Sequence, residues 1–132
     1  IRFRLKLLKG VIARRNANVQ LYRQQLQIEE IRFTPEPDEK NVDTHVMFIA
    51  RAKKRDELKL FLKQKGIETL VYYGTPLHLH KACKEISNGV GSLPRSEKIC
   101  REVLALPHNQ YLTVEQIKYV CESIKQFYIR ER

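Results

Sequence analysis

Tyr72-Tyr73-Gly74-Thr75-Pro76-Leu77-His78-Leu79-His80 is the densest run of chemically capable groups in this 132-residue sequence. Two phenols and two imidazoles offer hydrogen-bond donors and acceptors, and an imidazole titrates near neutral pH. The run follows a β-branched and aromatic stretch, the kind of strand end from which rigid scaffolds present binding groups. The same residue types also fit a packed turn, with Tyr72 in the core and the histidines in water. His78, His80 and Cys83 form H-x-H-x-x-C, three possible zinc ligands, yet no fourth cysteine or histidine lies close in sequence, and no metal is expected. Cys83, Cys100 and Cys121 stand far apart and read as small hydrophobes. His45 reads as a core or interface histidine and His108 as a loop residue. The sequence has no G-x-x-x-x-G-K-[ST] loop, no G-x-G-x-x-G after a strand and no serine nucleophile elbow. No self-sufficient catalytic set emerges.

The elements that must position this run are legible from periodicity and punctuation. Leu5, Leu8, Ile12, Val19, Tyr22 and Leu26 make a broken apolar stripe, which predicts a long helix over 3–27. Thr34-Pro35-Glu36-Pro37-Asp38-Glu39 is a loop, since its prolines remove donors and favour extended geometry before them. Thr44 to Ala50 is apolar on both faces and predicts a covered strand. Asp56 to Lys65 predicts a helix with acids in its first turn and Gly66 as its stop. Ile67 to Tyr73 predicts a second strand. Pro94 opens a helix through Ser96–Leu104 that Pro107 ends. Thr113-Val114-Glu115-Gln116 is a capping box, and Ile117, Val120, Cys121, Ile124 and Phe127 form the seam of the last helix. The sum is an α+β fold: a small antiparallel or mixed sheet with helices packed on it, centred on a strand-helix-strand unit at 44–73.

Composition bounds the function. The chain is 42% hydrophobic and 30% charged, enough to bury one domain's core. No apolar run approaches the ~18 residues that span a bilayer. The net charge of +10 suits an anionic partner. It is concentrated in residues 1–32 (eight Lys/Arg, two Asp/Glu) and 51–65 (seven against two), as on the solvated faces of amphipathic helices. An odd count of scattered cysteines suggests a reducing, intracellular setting. No targeting segment is evident, and a first residue of Ile1 suggests a piece of a longer chain. On these grounds alone a stand-alone basic nucleic-acid-binding module or a structural dimerisation module remains open, although no strand carries an RNP pattern.

The order of several blocks narrows the choice. They are Ala13-Arg14-Arg15-Asn16-Ala17 through Tyr22 and Leu26; Thr44-His45-Val46-Met47-Phe48-Ile49; Arg55-Asp56-Glu57-Leu58, Leu62 and Lys65-Gly66-Ile67; Val71 to Leu79; Leu93-Pro94-Arg95-Ser96-Glu97; and Val103-Leu104-Ala105-Leu106-Pro107. In this order they resemble the C-terminal part of the DegT/DnrJ/EryC1/StrS family of pyridoxal-phosphate-dependent sugar-nucleotide aminotransferases. Two positions depart from its H-Y-P segment: Tyr72 stands where histidine is frequent, and Gly74 where the first proline stands. The resemblance implies that residues 1–132 are the single small C-terminal domain of a fold type I transferase, with 1–27 as a linking helix and the cofactor-bearing N-terminal domain outside this chain. It implies amino transfer, typically from glutamate, to a nucleoside-diphosphate keto-sugar in a cytoplasmic homodimer. Tyr73 and His78 would then hydrogen-bond sugar or diphosphate, with Tyr72 as a packing or stacking neighbour. Pyridoxal phosphate would belong to the parent; no catalytic lysine and no cofactor are expected in this chain alone.

Overall fold

Helix α1 (Arg2–Gln25) begins the described part of the chain, which comprises residues 2–36, 38 and 40–131 of a computed structural model. Its second half carries the fold, because Val19 and Tyr22 are buried and Leu26 follows them into the core. Thr34-Pro35-Glu36 is irregular as expected, while Pro37 and Glu39 lie outside the described residues.

The sheet has three antiparallel strands in the order β1 (Ile31–Phe33), β2 (Phe48–Ala52), β3 (Val103–Leu106). Ile31 pairs with Ala52, and Phe48 with Leu106. The α+β expectation is met, and of antiparallel and mixed sheets it is the antiparallel one that forms. Beyond β1, which no sequence pattern announces, three details differ. The covered strand begins at Phe48, not Thr44, because the Asp43 carboxylate accepts from His45 N–H (2.7 Å) and holds a turn with His45 at φ +46. Val46 and Met47 are consequently exposed. The strand expected at 67–73 shrinks to one bridge, Leu70 with Ala105 (N–H to O 3.2 and 2.8 Å). The place beside β2 is taken instead by β3, whose first two residues, Val103 and Leu104, the apolar pattern assigns to the preceding helix. All four β3 residues are buried, so their pattern fits a helix end as well as a covered strand.

The inner sheet face (Ile31, Phe48, Ala50, Ala52) packs on α1, α2 (Arg55–Gln64) and α4 (Val114–Arg130), with Leu58, Leu62, Ile117 and Ile124 at the centre. Helix α3 (Pro94–Glu102) contacts β2 as well. Side chains pin these layers together. Tyr22 Oη donates to Pro107 O (2.8 Å), and Tyr128 Oη to Lys53 O (2.6 Å). The buried Arg55 donates through Nη1 to Val103 O (2.8 Å) and Cys100 O (3.3 Å), meeting carbonyls where α3 gives way to β3. The capping box of α4 forms in both directions, Gln116 N–H to Thr113 Oγ1 (3.2 Å) and Thr113 N–H to Gln116 Oε1 (3.0 Å). Among the described residues, no helix is long and apolar enough to cross a membrane.

Candidate functional site

The Leu70–Ala105 bridge is the last sheet-like pairing before the chemically dense run, and the chain bends at Tyr72 as it leaves the scaffold. The two rings, both more than half exposed, line different clefts. Tyr72 shares one of about 250 Å³ with Met47, Phe48, Leu70, Pro107, His108 and Asn109. Tyr73 shares one of about 490 Å³ with Thr75, Pro76, Leu77, His80, Ser96, Ile99 and Cys100.

The turn after Tyr73 is tight. A Cβ on Gly74 would stand 3.2 Å from Val71 Cγ1, closer than most side-chain contacts, so glycine suits the bend. Pro76 then leads into a single 3₁₀ turn at Leu77–Leu79 that aims the two imidazoles differently. His78 is turned inward: its Nε2 meets Glu97 Oε1 at 3.2 Å, and its side chain is 11% exposed. His80 is exposed, lies 3.3 Å through Nε2 from Thr75 O, and lines the Tyr73 cleft. Tyr73 and His80 therefore share one cavity, while Tyr72 lines another and His78 stands behind the wall. His80, which the sequence offers only as a possible zinc ligand beside His78 and Cys83, is thus the imidazole that shares the Tyr73 cleft.

Glu97 explains the inward pose of His78. Burial pushes its carboxyl up, but hydrogen bonds from Gly91 N–H (2.8 Å), His78 and the backbone outweigh this and hold it below the ordinary carboxylate value. An ionised carboxylate only accepts, so His78 Nε2 carries the proton of that bond. On the other side, His108 stands edge-on to His45 (centroids 6.4 Å apart) and 5.9 Å from Phe48. Burial pushes its imidazole below the usual value. Among the described residues, no group of three or more His, Cys, Asp or Glu is placed to hold a metal ion. No described lysine is buried, and none lines either tyrosine cleft, so these residues do not fit a Schiff-base site for pyridoxal phosphate.

Comparison with known proteins places this geometry. Residues 1–125 match the family model described as the DegT/DnrJ/EryC1/StrS aminotransferase family. The chain is 47% identical over 81 residues to a pleiotropic regulatory protein of Geobacillus stearothermophilus, spanning 61% of this chain and 22% of that protein. It is 37% identical over 81 residues to the dTDP-3-amino-3,4,6-trideoxy-alpha-D-glucose transaminase of Streptomyces venezuelae, spanning 61% of this chain and 21% of that one. The solved structure of DesV from S. venezuelae, in complex with a ketimine intermediate, superposes with a TM-score of 0.85 at 34% identity. That superposition covers 96% of this chain and 34% of DesV. The chain thus spans about a third or less of the length of the relatives it matches.

Proposed function

The chain belongs to the DegT/DnrJ/EryC1/StrS aminotransferase family, and from that premise we propose that it is the C-terminal part of a pyridoxal-phosphate-dependent enzyme. The enzyme aminates a nucleoside-diphosphate keto-sugar, with glutamate as donor, as a homodimer in the cytoplasm. This chain supplies one wall of the substrate pocket and part of the subunit contact. The observation that carries the reading is the family match over 1–125, which includes both tyrosine clefts.

The geometry supports the following roles. Tyr73 offers its hydroxyl to sugar or diphosphate oxygens, and Tyr72 offers a ring face to an apolar or planar part of the substrate. His78 backs that wall through Glu97. The net charge of +10 favours approach of a diphosphate. The cofactor is the amine carrier and belongs to a part of the enzyme that bears the Schiff-base lysine. Two arms test the reading. The 132-residue chain, incubated with pyridoxal phosphate and filtered, should retain none. Joined to the lysine-bearing part of a relative, it should form an assembly that aminates a thymidine-diphosphate keto-sugar, and Tyr73→Phe should raise KM about three- to tenfold, the value of one neutral hydrogen bond. A borohydride-fixed adduct on a lysine of the isolated chain would overturn the proposal.

A further inference from the structure

Glu97 is 5% exposed, and a carboxylate so placed is costly unless donors meet it. Two of its donors converge on a single oxygen. Oε1 accepts from Gly91 N–H at 2.8 Å and from His78 Nε2 at 3.2 Å, groups six and nineteen residues away in the chain. Gly91 reaches inward at φ +88, a conformation that favours glycine. Glu97 itself sits in the first turn of α3, anchored by its N–H to Leu93 O at 3.0 Å. That helix contributes Ser96, Ile99 and Cys100 to the Tyr73 cleft, and the turn bearing His78 contributes Thr75, Pro76 and His80. Through its contact with His78, this oxygen therefore links the two sides of the cleft.

We propose that Glu97 is a positioning residue that sets the width of the Tyr73 cleft by holding the 74–80 turn, through His78, and the 89–92 turn, through Gly91, against the start of α3. The proposal rests on the reading of this cleft as the nucleotide-sugar wall. It assigns His78 to alignment and leaves His80, which faces the same cavity as Tyr73, as the imidazole within reach of a ligand.

The test uses the full 132-residue chain with three readouts: the nitrogen tautomer of His78 by NMR, hydrogen exchange of the Gly91 amide, and affinity for thymidine diphosphate. In the unaltered chain His78 should carry its proton on Nε2 and the Gly91 amide should be protected. Glu97→Ala should free the tautomer, raise Gly91 exchange about tenfold and weaken thymidine diphosphate about tenfold, the effect of losing a charge-assisted bond. Glu97→Gln keeps an acceptor oxygen in place and should restore affinity to within about threefold. If Glu97→Ala fails to fold, the unaltered chain and Glu97→Gln still decide the matter. An Nδ1–H tautomer, an unprotected Gly91 amide, or unchanged affinity in Glu97→Ala overturns the proposal. Failure of the unaltered chain to bind thymidine diphosphate overturns the cleft reading instead, and the exchange and tautomer results then judge the latch by themselves.

Discussion

Arg55 holds the junction of α3 and β3 with a single side chain. Its Nη1 meets Val103 O and Cys100 O, while its Nε donates to Asp56 Oδ1 at 2.7 Å. Removing a buried cation strands its acceptors, so Arg55→Ala should cost about 2–4 kcal/mol in urea unfolding. Arg55→Lys should recover only part of this, since an ammonium cannot fork between both carbonyls and Asp56. His108 makes stability depend on pH. Its folded value lies below the ordinary one, chiefly because burial disfavours the cation. The unfolded chain then binds the proton more readily, so this contribution is fully present above about pH 6.5 and declines as pH falls from there towards the folded value. The urea midpoint should drop across that window, and His108→Asn should flatten the slope; an unchanged slope would remove His108 as its source. Burial likewise pushes the Cys121 thiol up to about 12. A thiol reagent at pH 8 should therefore label Cys83 and Cys100, both half-buried, and reach Cys121 only with unfolding.

Elements differ in how openly the sequence announces them, and α4 is the clearest. Thr113 and Gln116 close both bonds of the capping box, and every residue of the expected seam is buried. Thr113→Ala should lower stability by about 1 kcal/mol, read as a shift of the urea midpoint without change of slope. Helix α2 is nearly as clear, because Gly66 at φ +73 supplies the left-handed stop and Ile67 N–H returns to Leu62 O (2.9 Å). The sheet was less legible for a definite reason. Val103-Leu104-Ala105-Leu106 is apolar on both faces, and a short buried run has no period of its own to set strand apart from helix. Ile67–Tyr73 has the stronger β composition, yet it sits beyond β3 and pairs only through Leu70. At the candidate site the run 72–80 was visible as a cluster of types. Which imidazole faces Tyr73 was not, because a 3₁₀ turn and the buried Glu97 decide it, and Glu97 lies nineteen residues away.

At the scale of the whole molecule, the stripe on α1 runs farther than the fold that uses it. Leu5, Leu8 and Ile12 continue the face on which Val19 and Tyr22 are fully buried, yet Leu5 is 60% and Leu8 47% exposed, and Phe3 and Leu7 are exposed beside them. No acidic residue occurs before Glu29, so this half-helix is both apolar and basic. Burying a leucine is worth about 1.5–3 kcal/mol, so a partner that covered these four side chains would gain several such increments. Under the proposed function, the lysine-bearing part of the enzyme is the partner to test against this face. The double variant Leu5→Gln/Leu8→Gln separates this role from internal packing. In the isolated chain it should change stability by no more than about 0.5 kcal/mol, as substitutions of exposed side chains do. Binding to the lysine-bearing part should weaken at least tenfold, the equivalent of about 1.4 kcal/mol or more. A loss of several kcal/mol in the isolated chain would instead assign these leucines to its own core, and undiminished association would place the contact on another face of the domain.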